Sequence, residues 1–290
     1  MSLTTARNTA SAPNTIGAQL TCNGGLYCGV ATNALPVSFA VTNANPAGIA
    51  SLTTASVTIP AGSSSASGAV IGTPTAVGSY TITPTASGAT SVVSGSVSVS
   101  DQLTIGGSGT VGTGLSLTNY YYVQVNDNVA APLSVTLVSS DPTKLIVSAV
   151  TIPAGSRTGY FTVSGVAAGT PTVTATLTGW TSSSALPITV STTSLLFLSG
   201  PTTPLPVASS PNTFYVYARC GTSYCGEFTA APVVVLTSSA PTIATVALGA
   251  AVAGNQYFSG TVTPVAVGTY TITASVTGFA SSTSASLTIN

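Results

Sequence analysis

Between Val163 and Trp180 the chain reads VSGVAAGTPTVTATLTGW: a glycine turn, a strand that alternates apolar and hydroxyl residues, and a second glycine turn. An extended chain sends successive side chains to opposite faces, so Val173, Ala175 and Leu177 share one face and the threonines the other. The pattern returns at Val262–Phe279 (VTPVAVGTYTITASVTGF) and more loosely at Gly72–Gly88 (GTPTAVGSYTITPTASG). A strand with one apolar face cannot bury that face alone, so the threefold recurrence predicts three similar small β units in a row. Two further markers keep the same order in each repeat. Pro36, Pro132 and Pro232 open a middle strand, and Pro46, Pro142 and Pro241 follow in a turn.

Period-two alternation between turn signals places seven strands in the middle repeat. They are Leu103–Ile105, Tyr120–Val125, Leu133–Val138, Ile146–Ile152, Tyr160–Val163, Thr172–Leu177 and Leu186–Val190, and no segment shows a helical period. Short strands at this spacing predict a β-sandwich. Domain boundaries are expected at 1–100, 101–192 and 193–290, with linkers so short that a stiff, elongated rod follows. The first repeat departs at its start. Its Ser11–Thr15 (SAPNT) aligns with Ser209–Thr213 (SSPNT), which would put the counterpart of the opening strand Leu195–Leu198 before residue 1. Either Leu3–Thr5 is a shortened opening strand or the first domain lacks one, and the second case leaves an edge that another subunit can fill.

Composition narrows the chemistry. Among 290 residues only four are basic and four acidic, none is His, and the net charge is zero. An ordinary soluble domain carries about 25% charged residues, so hydroxyls, amides and backbone must cover this surface. Neutrality gives no attraction to nucleic acid and removes the like-charge repulsion that keeps molecules apart. No apolar run approaches a membrane span, so no membrane insertion is expected. The first residues also contain no apolar signal core. General acid–base catalysis relies on His, Lys or tuned carboxylates, and the four carboxylates here stand in separate turns. No enzyme activity, cofactor or metal site is expected.

Four cysteines form two close pairs, Cys22 with Cys28 and Cys220 with Cys225. Two local disulfides are favoured over zinc ligation, because the pairs fall in different repeats with no His to complete a site. Disulfides imply an oxidising compartment, secreted or on the cell surface. Bridges between molecules are a further alternative. Asn126-Asp127-Asn128 is read as a turn in preference to a calcium site, since one carboxylate is a poor cation ligand. If Val123, Val125 and Val216 face inward, Tyr120, Tyr122, Tyr215 and Tyr217 face outward. That is either ordinary aromatic enrichment of strands or a contact stripe. Trp180 and Phe279 hold equivalent places and are read as plugs at domain ends.

Two motifs resemble the group 2 bacterial immunoglobulin-like domains of invasins and intimins. One is Ser139-Ser140-Asp141-Pro142 followed by Val166–Ala175 (VAAGTPTVTA); the other is Ser238-Ser239-Ala240-Pro241 followed by Val265–Ala274 (VAVGTYTITA). The resemblance covers the second half of each repeat. It implies an all-β chain of three tandem immunoglobulin-like β-sandwich domains, used as a spacer, stalk or adhesive module at the cell surface. Together with the missing charges, it leads to an extracellular structural protein that associates with itself into a homopolymer, as a filament or surface layer. The alternatives are an adhesive or glycan-binding stalk segment, with the cysteine loops contacting surface glycans, and a virion decoration protein.

Overall fold

The structure is a computed structural model that describes residues 5–22, 29–199 and 203–290. Every regular element among these residues is a β-strand, and no helix long and apolar enough to cross a membrane occurs. Buried side chains gather in three clusters, one for each sequence repeat.

The middle unit shows the plan. Its first sheet runs Leu145–Val147, Thr158–Gly165, Leu115–Gln124, with the opening strand Thr104–Gly107 on the far side of Leu115–Gln124. Its second sheet runs Val150–Ile152, Leu133–Ser139, Thr172–Thr176, Leu186–Pro187. Thr110–Gly112 lies parallel to the closing strand Thr189–Ser191. Opening, second, fifth and fourth strands in one sheet, with the third, sixth and seventh in the other, are the immunoglobulin arrangement. The fold is therefore an all-β, immunoglobulin-like sandwich. Alternation does what the sequence requires: Leu117, Tyr121 and Val123 are buried with Phe161 and Val163 of the neighbouring strand, facing Val173 and Ala175 of the opposite sheet.

Two strands expected to be single are divided. Ile146–Ile152 becomes Leu145–Val147 in the first sheet and Val150–Ile152 in the second. The inward positions show why, since Leu145 is buried at an odd position but Val150 and Ile152 at even ones. A flat strand cannot present both parities to one core, so the chain changes sheet at Ser148-Ala149. Likewise Leu186–Val190 separates into Leu186–Pro187 and Thr189–Ser191, at a proline with no N–H for the ladder. The second strand is longer than expected, running from Leu115 rather than Tyr120.

The third unit repeats the plan, with Ser194–Ser199, Asn212–Arg219, Tyr257–Pro264 and Ala244–Leu248 in one sheet and Val234–Ser238, Ile272–Val276 and Ser282–Thr283 in the other. The first unit differs. Its sheet Asn14–Gln19, Ser65–Ile71, Leu52–Thr54 has the second, fifth and fourth strands, but no strand lies on the outer side of Asn14–Gln19 among the described residues. Ala6–Arg7 pairs in parallel with Val97–Val99, as Thr110–Gly112 does with Thr189–Ser191. It therefore fills the place of that later segment and not of the opening strand. The alternative that rests on Leu3–Thr5 falls mostly outside the described residues.

Candidate functional site

The chemistry-bearing residues gather where one unit meets the next. Arg7 stands in the first unit where the third has Leu205 and the second Val111, each beside its closing strand. Its guanidinium is fully buried. Nη1 donates to the Gly72 carbonyl at 2.9 Å and to the Tyr80 hydroxyl at 3.4 Å, Nη2 donates to the Ala12 carbonyl at 2.5 Å, and Nε reaches Asp127 Oδ2 of the second unit at 3.3 Å. A buried cation is tolerable only when paired and hydrogen-bonded, and all three nitrogens meet that condition. In the third unit, where Leu205 replaces the arginine, the corresponding Tyr270 hydroxyl is buried with no hydrogen-bond partner among the described residues.

Around Arg7 the two units are tied by polar contacts. Buried Asn8 donates to Asn126 Oδ1 at 3.0 Å, and Asn126 Nδ2 donates to the Arg7 carbonyl at 2.8 Å. Asp101 accepts from the Thr9 amide at 2.8 Å and the Thr9 hydroxyl at 2.6 Å. Backbone bonds Ala12 N to Asn128 O and Ala130 N to Ala10 O, both 2.7 Å, add a short antiparallel bridge. The Asn126-Asp127-Asn128 turn is thus a receptor for the first unit. Its carboxylate serves an arginine. Among the described residues no group of three or more His, Cys, Asp or Glu could hold a metal ion.

The second junction uses the same geometry with apolar contents. Glu227–Phe228 of the third unit adds to the edge of Leu115–Gln124, pairing Leu115 with Phe228 and Ser116 with Glu227. Leu115, carried by the second unit, is buried in the core cluster of the third. Phe279 stacks on Phe228 with ring centroids 5.7 Å apart. It closes an end of the third unit, as its position after the repeated strand implies. Trp180 packs, half-buried, against the core of the second.

Cys220 and Cys225 are joined by a disulfide, with Cα atoms 5.8 Å apart. The tip of this loop, Gly221-Thr222-Ser223, is exposed, while its second cysteine turns into the junction. Cys225 is fully buried, its carbonyl accepts from Gly112 N of the second unit at 2.8 Å, and Tyr224 lies 6.0 Å from Tyr120. A methyl group on Gly112 would fall 2.9 Å from the Cys225 sulfur, so the close approach requires glycine. The disulfide loop is a clamp between units. The Cys22–Cys28 pairing lies outside the described residues because Cys28 does.

The four tyrosines point outward as alternation predicts, with Tyr121 between the first two and Val216 between the second two buried. Tyr120 is taken up by Tyr224. Burial first, then the negative charge of Glu227 and the nearby Tyr120, push the Tyr224 phenol up to about 12. Tyr122 sits 6.1 Å from Tyr160, which is 57% exposed. Tyr215 and Tyr217 both contact Tyr257, at 5.5 and 5.3 Å, and the Arg219 guanidinium lies 5.1 Å from the Tyr217 ring. The role of Tyr257 and Tyr160 was missed in the sequence, although each occupies the strand that must neighbour the tyrosine strand.

The arrangement defines a chain of immunoglobulin-like sandwiches joined by strand pairing and shared burial. No protein-family model matches the chain, and no curated protein matches its sequence. Similar solved structures include the D0-D1 domain of intimin, at 18% identity over 64% of this chain and 94% of that one, TM-score 0.27. Domains 4–9 of the surface layer protein SbsC align at 19% identity over 93% of this chain and 41% of that one, TM-score 0.32. The Escherichia coli adhesin FdeC aligns at 15% identity over 97% and 98%, TM-score 0.31.

Proposed function

We propose that the chain is an extracellular, non-catalytic structural subunit of three domains, 1–100, 101–192 and 193–290, which associates with further copies of itself into a filament or surface layer. The observation that carries this reading is where the few charges go. Arg7, Asp101 and Asp127 are consumed at the first junction, and Glu227 and Arg219 lie beside the clamp and tyrosines of the third unit. Lys144 and Asp141 neutralise each other at 2.8 Å on the surface. Sheet edges are normally guarded by charges, and the edge strands Leu145–Val147, Val234–Ser238 and Ala244–Leu248 contain none, exposing Ile146, Val235 and Leu248 instead. With so little like-charge repulsion, association is favoured. The disulfide supports an oxidising location. Light scattering and negative-stain microscopy of the purified chain test the reading: particles of many subunits are expected, and a stable monomer at high concentration would overturn it.

The surface group of exposed Tyr215 and half-buried Tyr217 and Tyr257 favours a second reading, an adhesive segment that stacks a sugar or an apolar ligand on these rings. Glycan-array binding that disappears on Tyr257→Ser would favour it over the first.

A further inference from the structure

The first two units cover a sheet edge that the third leaves open. In the second unit Val150–Ile152 lies along the outer side of Leu133–Ser139, with Leu133 opposite Ile152 and Val135 opposite Val150. In the first unit Ser56–Ile59 takes the same register on Leu35–Asn45, with Leu35 opposite Ile59 and Val37 opposite Val57. Val234–Ser238 of the third unit pairs with Ile272–Val276 on one side, and on the other side no strand lies among the described residues. The segments around this edge, 229–264 and 270–284, are described in full.

A shared turn shows which residues correspond. Gly62, Gly155 and Gly254 donate their amides to Ala31, Val129 and Phe228 carbonyls at 2.8, 2.8 and 3.0 Å. Counting back from these glycines, Val57-Thr58-Ile59 and Val150-Thr151-Ile152 match Gly249-Ala250-Ala251. Ile59 and Ile152 are fully buried, and β-branched residues suit a half-buried strand. Gly-Ala-Ala has little to bury, so the segment stays with the other sheet, where Gly249 N donates to Ser259 O at 2.9 Å.

Alternation then decides which polar groups the open edge presents. Ser239 N donates to Thr271 O at 3.0 Å, so Val235 and Thr237 turn their backbone groups the same way, and Val234 and Leu236 turn theirs outward. In the first unit Phe39, the counterpart of Leu236, gives its amide to Ala55 O at 2.7 Å. Beside these groups Val233 and Val235 are 78% and 54% exposed. The second unit has Ser134 and Thr136 at the same places, and the first has Pro36 and Ser38. No charged residue follows Glu227 in the chain.

We propose that this edge is a two-fold interface between copies of the chain, in which the segment 233–237 of one protomer pairs antiparallel with the same segment of its partner. The inference rests on the self-association reading and names the surface where association begins. A two-fold axis sets an edge against its own copy, so a charge there would meet its like and be repelled. This edge carries none. With Val234 opposite the partner's Val234, the outward amides and carbonyls of both edges bond each other. Val233 of each protomer then lies across from the partner's Val235, and cross-strand pairs of β-branched residues stabilise a sheet. Such a contact is isologous and closes as a dimer, which makes the dimer the building block of any larger assembly.

Analytical ultracentrifugation of the whole chain, with amide exchange in parallel, tests the interface. The smallest associated species is expected to be a dimer, with exchange at Val234 and Leu236 slowing as it forms. Val235→Lys puts an edge guard at the centre of the contact and should weaken dimerisation at least about tenfold, with the circular dichroism of the native chain retained. Val233→Glu added to Val235→Lys sets opposite charges across the axis and should restore the dimer. Association unchanged by Val235→Lys, with the Val234 and Leu236 amides exchanging freely in the assemblies, would overturn this inference and leave the self-association reading standing. Slow exchange of those amides in the monomer would overturn it too, because the chain would then cover its own edge. A chain monomeric at every concentration overturns both.

Discussion

Arg7 Nε and Asp127 Oδ2 meet at 3.3 Å across the first junction, and the arginine head is closed off from solvent. Breaking a buried pair from one side leaves an uncompensated charge and costs roughly 3–5 kcal/mol. Arg7→Leu, which installs the residue of the third unit, should therefore destabilise the first junction, read as earlier denaturant unfolding of the N-terminal unit. Arg7→Leu combined with Asp127→Asn should cost less than the sum of the two single changes.

Leu115 belongs to the second unit by sequence and to the third by burial. Leu115→Ala should remove about 2–5 kcal/mol, as large-to-small core changes do. Hydrogen exchange should show the loss in strands Asn212–Arg219 and Ile272–Val276 of the third unit.

Reducing the Cys220–Cys225 disulfide, or changing both residues to Ser, should cost about 2 kcal/mol for so short a loop. Because Cys225 receives the Gly112 amide, the expected signature is faster exchange at Gly112 together with a lower melting temperature.

Alkali should be the weak side of the pH profile. Burial raises the phenols of Tyr121 and Tyr270, and Tyr224 is raised to about 12. Each raised phenol holds its proton in the folded state after the unfolded chain has begun to lose it near pH 10. The unfolded state then binds fewer protons, and stability falls as pH rises from about 10 toward 12. On the acid side, Lys144 and Thr143 hold the exposed Asp141 carboxyl below its usual range. That contribution is present above pH 4 and fades below it, and exposure keeps it small. Melting temperature should be nearly level from pH 4 to 9 and drop above 10, in step with tyrosinate absorbance at 295 nm.

Much of the fold was legible because β structure writes its period into the chain. Val173 and Ala175 alternate with threonines, and both are buried. Tyr121 faces in while Tyr120 and Tyr122 face out, as parity demands. Parity also carried the sign that Ile146–Ile152 could not be one strand, because its inward positions change from odd to even. The proline and glycine markers showed that the repeats match.

The sequence by itself determined the sandwich halves, the threefold recurrence and the scarcity of charge, all properties of neighbouring residues or of composition. Only the tertiary structure decided what the polar turns and the cysteine loop are for. Arg7 and Asp127 are distant along the chain, as are Gly112 and Cys225, and no local pattern states that their ends of two sandwiches meet. A turn such as Asn126-Asp127-Asn128 has the same local chemistry whether it faces water, a cation or a neighbouring unit. Its meaning is set by what desolvates it, and here that is the buried guanidinium of Arg7.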